Sequence, residues 1–147
     1  MTPIFPVGLR LMGLHVLVVG GGNIAERRVQ HLLSAGADIT IVSPELSAKL
    51  TELHSDGLIH WQPREYREGD LAGSWLVQAA TSCSAVNDLV AEHAKQARIF
   101  CFKGGDPAGA TAWRPAVAQL NDITISVNAS GDPHRAKATR DRIVQFL

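Results

Sequence analysis

Four apolar residues, 16–19, lead directly into a glycine cluster and then into a helical pattern. Within the cluster, Gly20, Gly22 and Ala25 have the G-x-G-x-x-G/A spacing of a dinucleotide-binding turn. The first glycine permits the tight turn, the second lets a pyrophosphate approach the backbone, and the small alanine lets the helix pack on the strand. Free N–H groups at the start of the helix favour phosphate there. A purely structural glycine turn is the alternative.

Apolar runs alternate with helical patterns over the first two thirds of the chain. This alternation predicts βαβ units and an α/β, Rossmann-like parallel sheet, with the carboxyl ends of the strands and a ligand crevice at one edge. The predicted strands cover residues 15–19, 39–42, 58–62, 75–80 and 99–102. The predicted helices cover residues 23–34 and 84–96, with a further helix running from Pro44–Glu45 to Gly57.

The pattern changes after Phe102. Residues 103–112 are rich in glycine and alanine, which predicts a loop. Residues 112–127 predict a β-hairpin that turns at Asn121-Asp122, with Pro115 favouring an edge strand. A last helix, predicted from His134 to Phe146, carries several basic residues.

Composition narrows the function classes. The 147 residues include 14 basic and 14 acidic side chains, so the formal net charge of +0 gives no sign of nucleic-acid binding. The chain has neither an apolar run of about 18 residues nor a signal peptide, which predicts a cytoplasmic protein without a membrane anchor. Cys83 and Cys101 form no C-x-x-C motif and are expected to be buried or semi-buried free thiols. The six histidines lack metal-ligand spacing, so no metal site is predicted.

Two further regions of the proposed site are predicted at the carboxyl edge of the sheet. The second strand ends in Ser43, Pro44 and Glu45, where a dinucleotide site contacts a ribose. No Arg or Lys follows directly, which favours NAD over NADP, although Glu45 also fits the first turn of the next helix. Small residues around Thr81 leave room for a nicotinamide ribose, or simply pack closely.

Asp106 follows the fifth strand in a glycine loop. A general base beside a nicotinamide would lie at about this place. The alternative is a turn aspartate before Pro107, which is a common turn dipeptide.

Taken together, these segments resemble the N-terminal module of the siroheme synthase family, the precorrin-2 dehydrogenases/sirohydrochlorin ferrochelatases. The resemblance covers nearly the whole chain, and the combination is more specific than any single motif. The stretches that carry it are residues 3–5 with 9–10, residues 18–28 including the Ala25-Glu26-Arg27-Arg28 continuation, residues 35–37 with 42–45, residues 79–81 with 86–87, and residues 98–101.

The resemblance implies an activity. Members of the family use NAD to oxidise precorrin-2 to sirohydrochlorin, many also insert ferrous iron, and they usually form homodimers. It implies an acid–base aspartate near the loop after the fifth strand. An ungapped match places Gly105 there, and Asp106 follows one residue later.

The resemblance also implies roles for two groups of residues. We expect a pyrophosphate to be held by Gly20, Gly22, Asn23 and Ile24. The substrate of the family carries eight carboxylates, so its binding site should be basic. We therefore expect the last helix to bind these carboxylates through Arg135, Lys137 and Arg140. The alternative is that these three residues form a solvated helix face.

The predicted organisation is therefore an NAD-binding domain in residues 1–111 and a dimerisation and substrate segment in residues 112–147. Three other functions stay open at this point. They are a non-catalytic NAD-binding sensor, a tetrapyrrole chelatase without the dehydrogenase step, and a dehydrogenase for another small substrate.

Overall fold

The computed structural model describes residues 2–147, and within them it contains one parallel sheet and one antiparallel ribbon. The elements are β1 His15–Val19, α1 Asn23–Ser34, β2 Asp38–Ser43, α2 Ala48–Ser55, β3 His60–Pro63, a 3-10 turn Glu68–Leu71, β4 Leu76–Ala79, α3 Ser84–Gln96, β5 Phe100–Lys103, β6 Ala116–Leu120, β7 Ile123–Val127 and α4 Pro133–Gln145. The parallel sheet has the strand order β3-β2-β1-β4-β5, and the ribbon pairs β6 with β7. The predicted α/β architecture is confirmed.

The central strand β1 is buried on both faces, which explains its continuous apolar run. Val16 and Val18 pack in the cluster beneath α1 and α2. Leu17 and Val19 belong to the opposite cluster, which includes buried residues of α3. β1 pairs with β2 on one side and with β4 on the other. The chain therefore adds strands on one side of β1 first and then on its other side, which makes the edge between β1 and β4 a topological switch point. Ligands of open α/β sheets bind at such a switch point.

Several element boundaries differ by one or two residues from the sequence prediction, and the largest difference is at the start of α2. Helix α2 begins at Ala48 because the Ser47 hydroxyl caps it, accepting a hydrogen bond from the Leu50 N–H at 3.3 Å. Glu45 therefore precedes the helix, and the interpretation of this residue as a first-turn acid is wrong. The Ser47 hydroxyl also donates to the Glu26 carboxylate at 2.9 Å, which joins α2 to the first turn of α1.

The chain forms two compact units. One comprises Leu9–Ala112, and the other comprises Trp113–Leu147 together with the N-terminal residues up to Gly8. In the second unit, β6 and β7 form the predicted hairpin, with Leu120 opposite Ile123. Helix α4 is capped by Asp132, whose carboxylate accepts from the Arg135 N–H at 3.0 Å.

Two features are absent from residues 2–147. No helix there combines the length and the apolar character needed to cross a membrane. Within the same residues, no three His, Cys, Asp or Glu side chains come together in position to hold a metal ion.

Candidate functional site

The glycine turn between β1 and α1 is closed on one side by backbone. Gly20 has a φ of +121°, and a Cβ there would collide with the carbonyl oxygen of Ala80 and lie 3.0 Å from the Thr81 nitrogen. The Gly20 N–H donates to the Val42 carbonyl at 3.0 Å. Both the conformation and the close approach of Ala80, the residue after β4, therefore require glycine at this position.

The next two glycines differ sharply in their surroundings. A Cβ at Gly21 would collide with the Glu45 carbonyl and the Ser43 hydroxyl, whereas a Cβ at Gly22 would meet nothing within 4 Å. Gly21 lies between the motif glycines, and sequence reasoning assigned it no role of its own. The turn is thus closed behind Gly20 and Gly21 and open in front of Gly22.

Helix α1 begins on that open side. Gly22 is its N-cap, and no side chain caps the helix there. The first-turn N–H groups of Asn23 and Ile24 are therefore available, and the helix dipole adds partial positive charge. Open space, free amides and positive potential together fit a pyrophosphate. Gly20, Gly22, Asn23 and Ile24, the predicted pyrophosphate residues, all lie at this turn.

The end of β2 lies directly against this turn. Ser43 is only 4% exposed, and its hydroxyl donates to the Glu45 carbonyl at 2.7 Å. The hydroxyl hydrogen is thus used inside the turn, where it supports the wall behind Gly21. Pro44 and Glu45 are exposed, so these two residues form the outer surface of the turn.

Thr81 is held in a closed set of hydrogen bonds after β4. Its N–H and its hydroxyl approach the Asn87 Oδ1 atom at 3.0 and 2.7 Å, and the Asn87 amide donates to the Thr81 carbonyl at 3.0 Å. Asn87 is buried on α3, so these bonds fix the β4–α3 turn beside Gly20. The sequence drew attention to Asn87 only through the family resemblance.

Asp106 lies on an exposed loop that begins at the same edge. Its Oδ1 atom accepts from the Ala108 N–H at 2.9 Å, which is the hydrogen bond of a turn aspartate. The loop starts next to the glycine turn, because the Gly104 N–H donates to the Ala79 carbonyl at 3.0 Å. A Cβ at Gly104 would lie 3.9 Å from the Ile24 side chain.

The three basic residues on α4 have different surroundings. The Arg140 guanidinium is bound to the Asp141 carboxylate, and it also donates to the Val117 carbonyl at 3.0 Å. Arg135 donates to the Ala129 carbonyl at 3.3 Å. Lys137 is exposed. Two of the three predicted cations therefore already support the local structure of their own unit.

A further cation, Arg28, lies one helical turn beyond Ile24. Its Nε atom is buried and has no hydrogen-bond partner. Burial lowers the pKa of this guanidinium, and the neighbouring charge of Arg27 lowers it further. The residue nevertheless stays charged at neutral pH, because arginine titrates far above it.

Comparison with known proteins agrees with this geometry. Residues 7–116 match a family model described as "Putative NAD(P)-binding". Siroheme synthase 3 of Aeromonas hydrophila is 38% identical over 143 residues, and siroheme synthase 1 of Aeromonas salmonicida is 37% identical over the same length. Each alignment covers 97% of this chain but 31% of the relative, so the chain spans less than a third of these relatives.

A solved structure has the same fold over nearly the whole chain. This protein, described as SirC, precorrin-2 dehydrogenase, superposes with a TM-score of 0.84 at 27% sequence identity. The match covers 98% of this chain and 71% of that one. These similarities confirm the resemblance predicted from the sequence.

Proposed function

Because this chain belongs to the family of NAD(P)-binding domains, we propose that it binds NAD and oxidises precorrin-2 to sirohydrochlorin. The observation that carries the proposal is the glycine turn, closed by backbone behind Gly20 and Gly21 and open in front of Gly22. The similarity to a precorrin-2 dehydrogenase supports the choice of substrate.

In this proposal the nicotinamide cofactor lies across the carboxyl edge of the sheet. Gly20, Gly22, Asn23 and Ile24 hold the pyrophosphate, while residues 43–45 and Thr81 lie beside the riboses. We propose NAD rather than NADP because no Arg or Lys directly follows Ser43, and the exposed Glu45 carboxylate would repel a 2′-phosphate.

The reaction removes two hydrogens from the macrocycle, one as a hydride and one as a proton. The bound nicotinamide supplies the hydride acceptor. We assign the proton to Asp106, whose second carboxylate oxygen remains available when Oδ1 accepts from Ala108. Its place at the sheet edge, on the loop that starts beside Ile24, supports this role.

The second unit completes the proposal. We assign the substrate carboxylates to Arg135, Lys137 and Arg140, of which Arg135 and Lys137 are exposed. Residues 112–147 would also form a homodimer interface, because large apolar side chains there are open to solvent, among them Ile123 at 58% and Phe146 at 84%. Residues 1–111 would bind the cofactor.

The proposal includes a cytoplasmic location. Both cysteines are free thiols. A reducing compartment keeps thiols in that state. Ferrous iron insertion is a second candidate activity, and its only support is the family resemblance.

The test is an anaerobic assay with purified protein, enzymatically generated precorrin-2 and NAD. NADH and sirohydrochlorin should appear together, and Asp106→Asn should lower kcat by about 10²- to 10⁴-fold, the usual contribution of a general base. Asp56→Asn, an exposed change at the end of α2, is the matched control and should leave kcat unchanged.

Other outcomes separate the alternatives. NAD binding without turnover would favour the sensor. Iron insertion into supplied sirohydrochlorin without NAD would favour the chelatase. NAD binding without binding of any polycarboxylate tetrapyrrole would favour a dehydrogenase for another substrate.

A further inference from the structure

A nearly buried lysine stands at the start of the Asp106 loop. Lys103 is the last residue of β5, and its side chain is only 6% exposed. Its Nζ atom donates to Asp88 Oδ1 at 2.7 Å and also to the Ala108 carbonyl. A buried ammonium needs such partners, because an unpaired charge is costly in a protein interior.

Both backbone groups of Ala108 are therefore held by side chains. Asp106 accepts from its N–H at 2.9 Å, and Lys103 donates to its carbonyl. Asp88 in turn anchors Lys103 to α3. A continuous set of hydrogen bonds thus runs from α3 through Lys103 and Ala108 to the Asp106 carboxylate.

The outer part of the loop has one backbone hydrogen bond of its own, from the Ala110 N–H to the Pro107 carbonyl at 3.1 Å. The base of the loop is closed at Cys101, which accepts from the Thr111 and Ala112 N–H groups at 3.2 and 3.1 Å. Towards the tip, Gly105 and Gly109 have φ angles of +75° and +80°, and neither has a neighbour within 4 Å of its Cβ position. Glycines give this segment many alternative conformations. The Lys103 ammonium is thus a main constraint on the position of the loop.

We propose that Lys103 is a positioning residue that fixes Asp106 at the carboxyl edge of the sheet, with Asp88 holding Lys103 in place. This inference rests on the proposed function, because it assigns Lys103 a role through the base of that reaction. It also accounts for a lysine that is almost fully buried beside three loop glycines.

The first test compares Lys103→Met and Lys103→Arg in the NAD and precorrin-2 assay. Lys103→Met should lower kcat by about 10- to 100-fold, since a misplacement of about 1 Å costs up to about 10²-fold. The dissociation constant for NAD should change by less than about twofold, because the glycine turn is intact. Lys103→Arg, which keeps the charge and the donors, should recover part of the loss. Lys95→Met, an exposed change on α3, is the control.

A double variant separates positioning from a general structural effect. If Lys103 acts through Asp106, adding Lys103→Met to Asp106→Asn should lower kcat no further than Asp106→Asn alone. Independent, multiplying losses would overturn the inference. Asp88→Asn should reproduce a smaller part of the Lys103→Met effect.

A second measurement does not depend on turnover. In the full chain, hydrogen exchange of the Ala108 amide should become faster in Lys103→Met and remain unchanged in Lys95→Met. Equal exchange in the wild type and Lys103→Met would overturn the inference even in an active enzyme. If the wild type is inactive but the Ala108 amide exchanges faster in Lys103→Met, the proposed function is rejected. The conclusion that Lys103 constrains the loop then still holds.

Discussion

Two glycine-rich segments meet at the carboxyl edge of the sheet, and they are held in opposite ways. In the turn at residues 20–22, backbone carbonyls lie where Cβ atoms of Gly20 and Gly21 would be. In the loop at residues 104–109, Gly105 and Gly109 have open space around them, and a side chain, Lys103, ties the loop to α3.

The difference separates two uses of glycine. In the turn, glycine is required by close contact between neighbouring strands, so the position of the proposed pyrophosphate site follows from the sheet itself. In the loop, glycine supplies positive φ angles without close contacts, so the position of Asp106 depends on hydrogen bonds that one substitution can remove.

The largest effect is expected at the closed turn. Gly20→Ala should lower the free energy of unfolding by about 3 kcal/mol or more, because it adds a backbone clash to an unfavourable φ of +121°. Urea denaturation measures the change. Gly69→Ala, at a site with open space and no positive φ, should stay within about 0.5 kcal/mol. Equal losses in the two variants would remove the contrast between closed and open glycines.

Thiol labelling compares the base of the loop with the exposed protein surface. Burial raises the pKa of the Cys101 thiol to about 11. At pH 8 we expect Cys101 to react with iodoacetamide about two orders of magnitude more slowly than the exposed Cys83, because it is buried and almost entirely protonated. The Cys101 rate should rise as pH increases towards 11, as mass spectrometry can follow. Similar rates at pH 8 would mean that the loop opens at its base.

The open side of the turn should tolerate a side chain but not a negative charge. Gly22→Asp should keep or raise stability, since aspartate is a favourable N-cap, yet weaken NAD binding by about tenfold or more through repulsion of the pyrophosphate. Gly22→Asn is the matched control with the same size and no charge. Calorimetric titration measures both affinities, and an equal loss would show that bulk rather than charge is responsible.

The smallest effect is expected at the tip of the loop. Gly105→Ala should cost about 1 kcal/mol, from the positive φ alone, because no atom obstructs the new methyl group. Thermal unfolding followed by circular dichroism measures it. A loss as large as that of Gly20→Ala would show that the loop is packed as tightly as the turn.

Much of the fold was predictable because its signals are local. The apolar run at β1 and the spacing of Gly20, Gly22 and Ala25 placed the first strand, turn and helix with the observed bounds. The start of α2 was predicted too early, since the Ser47 cap competes with the signal at Pro44 and Glu45. The candidate residues for the cofactor and the base lie after strand ends, whereas Arg135, Lys137 and Arg140 lie on α4, and the roles of all of them remain predictions.

The sequence by itself determined the order of strands and helices, the glycine turn and the position of Asp106 after β5, because each depends on neighbouring residues. Only the tertiary structure decided that Ser43 is buried with its hydroxyl engaged, that Asn87 closes the turn at Thr81, and that Lys103 reaches Asp88. The Asn87 and Lys103 contacts cross from a strand end to α3. They form because β4 and β5 pair in parallel with α3 packed against them. The periodicity of apolar residues does not predict such contacts between side chains of different elements.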